Sequence, residues 1–285
     1  MTAALAHRDT GLLTAEPQRT PRIGIVNLMP HAQQYEQWLL PQLSAARPFE
    51  PVWIRLNERR FSLDDPAHIA AQYVRHADAI ADAPLDALIV TGAAVEHLPY
   101  EDVRFLPELA PIVQRTAEAG TPVLGLCWGA LAVAHLLYGL PKTTYPVKVS
   151  GIYETDRLVD DGPIAAVLDD RFWSTHSRYA GFDDDALDSS GTVRAVARSA
   201  EAGTVIAESL DHGVVMHIGH PEYAGDRLAD EYHRDLGAGL TDVRPPANVD
   251  LTHPVNLWRS HSLIFFASWV RLVHERLVHQ RMAAR

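Results

Sequence analysis

Short apolar runs alternate with helical patterns through the first half of the chain. Arg22-Ile-Gly-Ile-Val-Asn-Leu-Met-Pro30 is an apolar run closed by Asn and Pro, which predicts a buried strand. A helix over 33–43 and a strand over 52–56 follow. The alanine-rich stretch 67–81 reads as one helix. Leu85-Asp-Ala-Leu-Ile-Val-Thr-Gly92 is a further strand, and 106–119 a helix stopped by Gly120. Residues 123–126 and 128–138 give the next strand and helix. Apolar strands separated by helices predict a mostly parallel sheet flanked by helices, the α/β class. In such sheets ligands bind beyond the carboxyl ends of the strands. The turns after Met29, Val90 and Leu126 are therefore the places to look.

From about residue 148 the pattern changes to shorter strands, at 149–153, 192–197, 204–208 and 214–218. The tail 262–283 reads as an amphipathic helix, and Asp183-Asp184-Asp185 as a solvated turn. Residues 1–20 are polar and proline-containing, expected to be flexible, which leaves 21–285 as a single domain with a C-terminal helix. The run 123–140 is apolar enough to raise a membrane-spanning reading, but Gly125, Gly129 and Gly139 interrupt it and prolines bracket it. A buried strand followed by a buried helix accounts for it.

The chain has 285 residues, with 25 Lys+Arg against 36 Asp+Glu and a formal charge of −11. Such an acidic balance argues against non-specific binding to nucleic acid or to an anionic membrane. Cys127 is the one cysteine, so no disulfide can form within the chain. With no signal-peptide pattern at the N-terminus, the expected compartment is the reducing cytoplasm.

That cysteine sits in Gly125-Leu-Cys-Trp-Gly129, between a strand and a helix. G-x-nucleophile-x-G in this context is a nucleophile elbow. Small flanking residues permit the tight turn. The helix N-terminus favours a thiolate, and the backbone N–H of Trp128 is placed to stabilise an oxyanion. A buried structural cysteine is the alternative. In His217-Ile-Gly-His220-Pro-Glu222-Tyr, residues two apart on an extended segment point the same way, so His220 and Glu222 pair as base and orienting carboxylate. A turn histidine beside a surface glutamate is the bland reading of that pair alone. No H-E-x-x-H occurs and a lone thiol builds no multi-thiolate zinc site, so no metal is expected.

Cys127 in an elbow followed by His220-Pro-Glu222 resembles the class I glutamine amidotransferase-like, flavodoxin-like fold. Asn27-Leu-Met-Pro30, Val90-Thr-Gly-Ala93, Tyr138-Gly-Leu-Pro-Lys142 and Lys148-Val-Ser-Gly151 narrow it further. So do His176-Ser-Arg178, Gly219-His-Pro-Glu-Tyr223, Tyr232-His-Arg-Asp235 and Trp258-Arg-Ser-His261. In this order they resemble segments of the homoserine O-acyltransferases (the homoserine O-succinyltransferase, or transsuccinylase, family) of methionine biosynthesis. The resemblance spans residues 22–272.

It implies Cys127 as acyl-thioester nucleophile, His220 as general base, and Glu222 as its partner. It also implies Lys148, Ser177 and Arg234 as substrate-binding residues. The implied reaction is ping-pong, from acetyl-CoA or succinyl-CoA as co-substrate to L-homoserine, with no bound cofactor and a homodimeric assembly. In the family a glycine at the position of Glu96 goes with succinyl-CoA and a glutamate with acetyl-CoA, so acetyl is favoured here. The chain departs from the family pattern after Pro30, where His31-Ala32 replaces the usual lysine at the second position. Another hydroxy amino acid such as L-serine, or a glutamine amidotransferase or hydrolase activity, stays open at this point.

Overall fold

The computed structural model describes residues 19–45, 47–59, 63–241 and 243–283. The first half runs β1 (Arg22–Val26), α1 (Ala32–Ser44), β2 (Glu50–Arg55), α2 (Pro66–Gln72), β3 (Tyr73–Arg75) and α3 (His76–Asp82). It continues with β4 (Ala87–Val90), α4 (Leu106–Glu118), β5 (Val123–Leu126) and α5 (Trp128–Tyr138). The second half holds β6 (Lys142–Arg157), β7 (Arg171–Phe182), α6 (Asp184–Asp188), β8 (Val193–Ser199) and β9 (Gly203–Ser209). β10 (Val214–His217), α7 (Arg227–Gly237) and α8 (Arg259–Ala283) complete it.

Among the described residues, one sheet of 10 strands has the order β3-β2-β1-β4-β5-β10-β9-β8-β6-β7. The joints from β3 to β10 are parallel, and those from β10 to β7 are antiparallel.

Alternation along the central strands sorts their side chains between two layers. Val26, Leu88, Val90 and Val123 pack with α4 and α5 through Leu109, Val113 and Leu131. Ile23, Ile25, Ile89 and Leu124 pack on the opposite face with Tyr35 and Leu39 of α1 and Phe265, Trp269 and Val273 of α8. Both faces are covered, which is why these strands are apolar throughout. The run 123–140 is indeed a buried strand and helix. No described helix is long and apolar enough to cross a membrane.

Several expectations need correction. The stretch 67–81 is not one helix: Tyr73–Arg75 leaves α2 to pair with β2 at the sheet edge. Tyr73 supplies the reason. Its ring packs on Trp53, its hydroxyl donates to Glu36 at 2.7 Å, and it accepts from Asn27 at 2.8 Å. These tertiary contacts override the helical preference of the alanines. The strand expected at 149–153 is the middle of the much longer β6, and its partner β7 was not expected at all. Asp183-Asp184-Asp185 is not a plain turn: Asp183 caps α6, its carboxylate accepting from Ala186 N at 3.0 Å. The expected flexible segment 1–20 lies outside the described residues except for Arg19 and Thr20, where Arg19 is paired with Asp86.

Candidate active site

β10 lies parallel to β5, with His217 opposite Leu126. Cys127 N donates to His217 O at 2.9 Å, which ties the elbow to the strand that leads into His220. This pairing brings together two segments far apart in sequence. Cys127 has φ 49° and ψ −118°, off the allowed regions for a side-chain-bearing residue, as a nucleophile elbow requires. Its glycine neighbours explain why the turn closes. A Cβ on Gly129 would fall 2.2 Å from Val90 O, and one on Gly125 2.6 Å from Ala130 Cα. Only hydrogen fits at either place.

The thiol and the imidazole border the same point. The space beside Gly92 where a Cβ would lie is bounded by Cys127 Cβ at 3.3 Å and His220 Cε1 at 3.5 Å. His220 Nδ1 is 2.9 Å from Glu222 Oε1, so the carboxylate holds one ring nitrogen and leaves Nε2 to the sulfur. Tyr223 stacks on the imidazole with centroids 4.0 Å apart. Burial opposes a charge on His220. Cys127 and the Glu222 carboxylate outweigh it and raise its pKa well above the ordinary imidazole value. Behind the pair, the Tyr35 hydroxyl is fully buried, and burial followed by the Glu222 charge keeps it protonated. Neither Tyr35 Oη nor Glu222 Oε2 closes a hydrogen bond.

Cys127 and His220 line a cavity of about 210 Å³ together with Glu96, Lys148, Ser177 and Arg234. Six of the residues singled out from sequence thus share one space. Glu222 stands behind His220. Trp128 does not line the cavity: its ring is buried against Phe105, while its backbone N–H belongs to the open first turn of α5. The Glu96 carboxylate accepts from Tyr179 N at 3.4 Å. His31, the neighbour of the missing lysine, is exposed, and Ala32 is buried where α1 begins.

The polar wall is denser than the sequence suggested. Glu231 accepts from the Ser177 hydroxyl, from Tyr223 Oη at 3.0 Å and from Arg227 at 3.0 Å. Asp235 holds Lys148 at 3.1 Å and takes Nε and Nη2 of Arg234 at 2.9 and 2.7 Å. The planar fork of Arg234, expected as a substrate-binding residue, faces Asp235. Burial would raise both carboxyl pKa values, but the facing cations lower them, Lys148 and Arg227 at Glu231, Arg234 and Lys148 at Asp235. Sequence reasoning missed Arg227 and Glu231 as site residues. Their signal was present: Arg227, Glu231 and Asp235 recur at i, i+4 and face one way on a helix.

A second titratable group lies behind the site. His217 Nε2 is 3.2 Å from His261 Nε2, and His217 Nδ1 accepts from Gly219 N at 3.1 Å. His176 Nε2 is 2.9 Å from the Ser174 hydroxyl, and its Nδ1 accepts from Arg178. Burial lowers the pKa of all three, that of His261 to about 3. Among the described residues no group of three or more His, Cys, Asp or Glu is placed to hold a metal ion.

These shifts have a measurable sign. Unfolded histidines take up protons near pH 6.5, whereas the buried ones stay neutral. Stability is therefore lost as pH falls from 6.5 towards 3, by about 1.4 kcal/mol per histidine per pH unit. His220 acts oppositely: its contribution is present below pH 6.5 and lost as pH rises through its elevated folded value. Urea unfolding between pH 7 and 4.5 is expected to show a midpoint that drops steeply below 6.5, further than the carboxylates alone produce.

The homoserine O-succinyltransferase family model matches residues 13–278. The homoserine O-succinyltransferase of Aliivibrio fischeri is 36% identical over 262 residues, 90% of this chain and 83% of that one. That of Tolumonas auensis is 34% identical over 258 residues, 88% of this chain and 81% of that one. Among solved structures, a glutamine amidotransferase from Thermotoga maritima superposes with a TM-score of 0.59 at 14% identity, covering 91% of this chain and 99% of that one. A glutamine amidotransferase from Methylobacillus flagellatus gives 0.52 at 16% identity, covering 91% and 94%. At those identities the likeness is one of fold. The sequence relatives go further, and the chain belongs to the homoserine O-succinyltransferase family, built on a glutamine amidotransferase-like α/β fold.

Proposed function

We propose that the protein is a cytoplasmic homoserine O-acyltransferase of methionine biosynthesis, working through an acyl-enzyme on Cys127. The observation that carries the reading is the shared cavity. A thiol, an imidazole held by a carboxylate, and a wall of paired charges for a small zwitterion meet in one space.

In the first half-reaction Cys127 Sγ attacks the thioester carbonyl of the acyl donor. The carbonyl oxygen takes negative charge beside the backbone N–H of Trp128. The intermediate collapses, the C–S bond to CoA breaks, and the departing sulfur takes the proton held on His220. In the second, the homoserine hydroxyl attacks the enzyme thioester while His220 accepts its proton. Collapse then breaks the bond to Cys127 and restores thiolate and imidazolium. One thioester is exchanged for another and then for an ester, so no oxidant or metal is needed.

The wall formed by Lys148, Arg227, Arg234, Glu231 and Asp235 suits an amino acid. Its carboxylate meets the Lys148 and Arg234 side, and its ammonium meets Asp235 and Glu231. The donor is argued from Glu96. The named relatives are succinyltransferases, but here a carboxylate lines the cavity that receives the acyl group. The distal carboxylate of a succinyl group would be repelled by the Glu96 carboxylate, whereas acetyl has none to place.

A grid of acetyl-CoA and succinyl-CoA against L-homoserine, L-serine and L-glutamine, read by release of free CoA, tests the reading. Turnover is expected with acetyl-CoA and L-homoserine. Glu96→Gly is expected to move the ratio of kcat/KM for the two donors towards succinyl-CoA by about tenfold or more. An unchanged ratio would remove the donor argument. Ammonia released from L-glutamine, with no free CoA from any donor and acceptor pair, would point to an amidotransferase.

A further inference from the structure

A second cavity, of about 390 Å³, adjoins the catalytic one and shares Pro30, Ala93 and Ala94 with it. We infer that this cavity holds the pantetheine arm of the acyl donor, with its thioester end directed across Ala93 to Cys127. The inference rests on the acyl-thioester donor proposed above and adds where the donor binds.

The two cavities differ in chemistry. The catalytic one carries the ion pairs of α7 and fits a small charged acceptor. The second is walled by Leu28, Val95, Leu98, Val103 and Phe105, with charged side chains among the rest of its lining. Leu28, Val103 and Phe105 are buried, so this wall is part of the packed core. Arg59 braces one side, donating to Leu28 O at 3.1 Å and Met29 O at 3.0 Å.

A small acceptor needs no apolar chamber next to its site. A donor whose reactive sulfur sits at the end of a long arm does, because the arm must run from Cys127 to solvent without crossing the acceptor's wall. The geminal methyl groups of the pantoyl unit match the Leu98, Val103 and Phe105 surface. Arg104 lies exposed among the lining residues, where the anionic end of CoA would emerge. Separate approaches for donor and acceptor also suit a ping-pong reaction, since CoA can leave while the acceptor wall stays intact.

The test uses three donors with the same acyl group: acyl-CoA, acyl-pantetheine, and the N-acetylcysteamine thioester, which lacks the pantoyl unit. With the parent enzyme, KM for acyl-pantetheine is expected to lie about tenfold or more below that for the short thioester. Leu98→Trp, which fills the cavity, is expected to raise KM for acyl-CoA and acyl-pantetheine about tenfold and to leave KM for the short thioester and for L-homoserine in place. Arg104→Glu should raise KM for acyl-CoA alone. Equal KM values for the two truncated donors in the parent enzyme would overturn the assignment even if Leu98→Trp fails to fold. If the parent transfers from no thioester at all, the proposed function falls and the cavity assignment with it. Transfer from all three donors with no dependence on the arm removes the cavity assignment alone.

Discussion

Cys127→Ala is expected to lower acyl transfer by about 10⁴-fold or more while leaving the fold intact. The size follows from what the residue supplies. Without a covalent acyl-enzyme the two half-reactions must merge into a direct attack on CoA thioester, and removal of a nucleophile from a cooperating set commonly costs this much. Cys127→Ser should fall nearly as far. A hydroxyl is far less acidic than a thiol, so the charge that helps hold the proton on His220 is absent. Two readouts separate chemistry from folding. Cys127 is the one cysteine in the chain, so mass spectrometry of the enzyme mixed with donor alone should find a single acyl group on it, and none on the alanine variant. Thermal unfolding should change little, because alanine keeps the Cβ and the turn is set by Gly125 and Gly129. Near-normal turnover of the alanine variant would end the thioester mechanism.

How much of this was legible before folding depends on the range over which each signal acts. The central strands announced themselves because both sides of each are buried and local apolarity suffices. The elbow was legible because its glycines are demanded by contacts close at hand, Gly129 against β4 and Gly125 against α5. β7 was not. Its Ser174, Thr175, His176, Ser177 and Arg178 are all buried, and a polar run of this kind resembles a loop until its partners are known. The split of 67–81 was hidden for the same reason, since Tyr73 leaves the helix for partners just after β1, on β2 and on α1. At the site, Cys127, His220 and Glu222 carry local patterns. Glu231 looked like one helix-surface acid among many. Its role in the wall depends on Lys148 from β6 and Ser177 from β7, which meet α7 only in three dimensions.

His220→Asn is expected to reduce turnover by about 10³-fold or more, and the intact enzyme should show why in its pH dependence. In the free enzyme the largest influence on His220 is burial, which disfavours its charge. The Cys127 thiolate and Glu222 outweigh this and raise the pKa well above the ordinary value. Acylation turns the thiolate into a neutral thioester. One of the two charges is gone, burial is unchanged, and the imidazole's hold on its proton weakens. The proton is released when CoA needs it, and the ring is left as the base that the homoserine hydroxyl needs. The two half-reactions should therefore respond differently to pH. The burst of CoA release requires the thiolate–imidazolium pair and should fail where alkali strips His220 of its proton. Transfer from the acyl-enzyme to L-homoserine requires neutral His220, so its rate should rise with pH through an apparent pKa lower than that of the free enzyme. Rapid-mixing measurements of the burst and of acyl-enzyme decay across pH 5 to 9 give the two profiles. His220→Asn should remove the ascending limb of decay, because asparagine has no proton to exchange. Glu222→Gln keeps the imidazole but takes away its remaining anion and should move that limb to still lower pH. Coincident profiles for the two half-reactions in the parent enzyme would mean that His220 does not sense the state of Cys127.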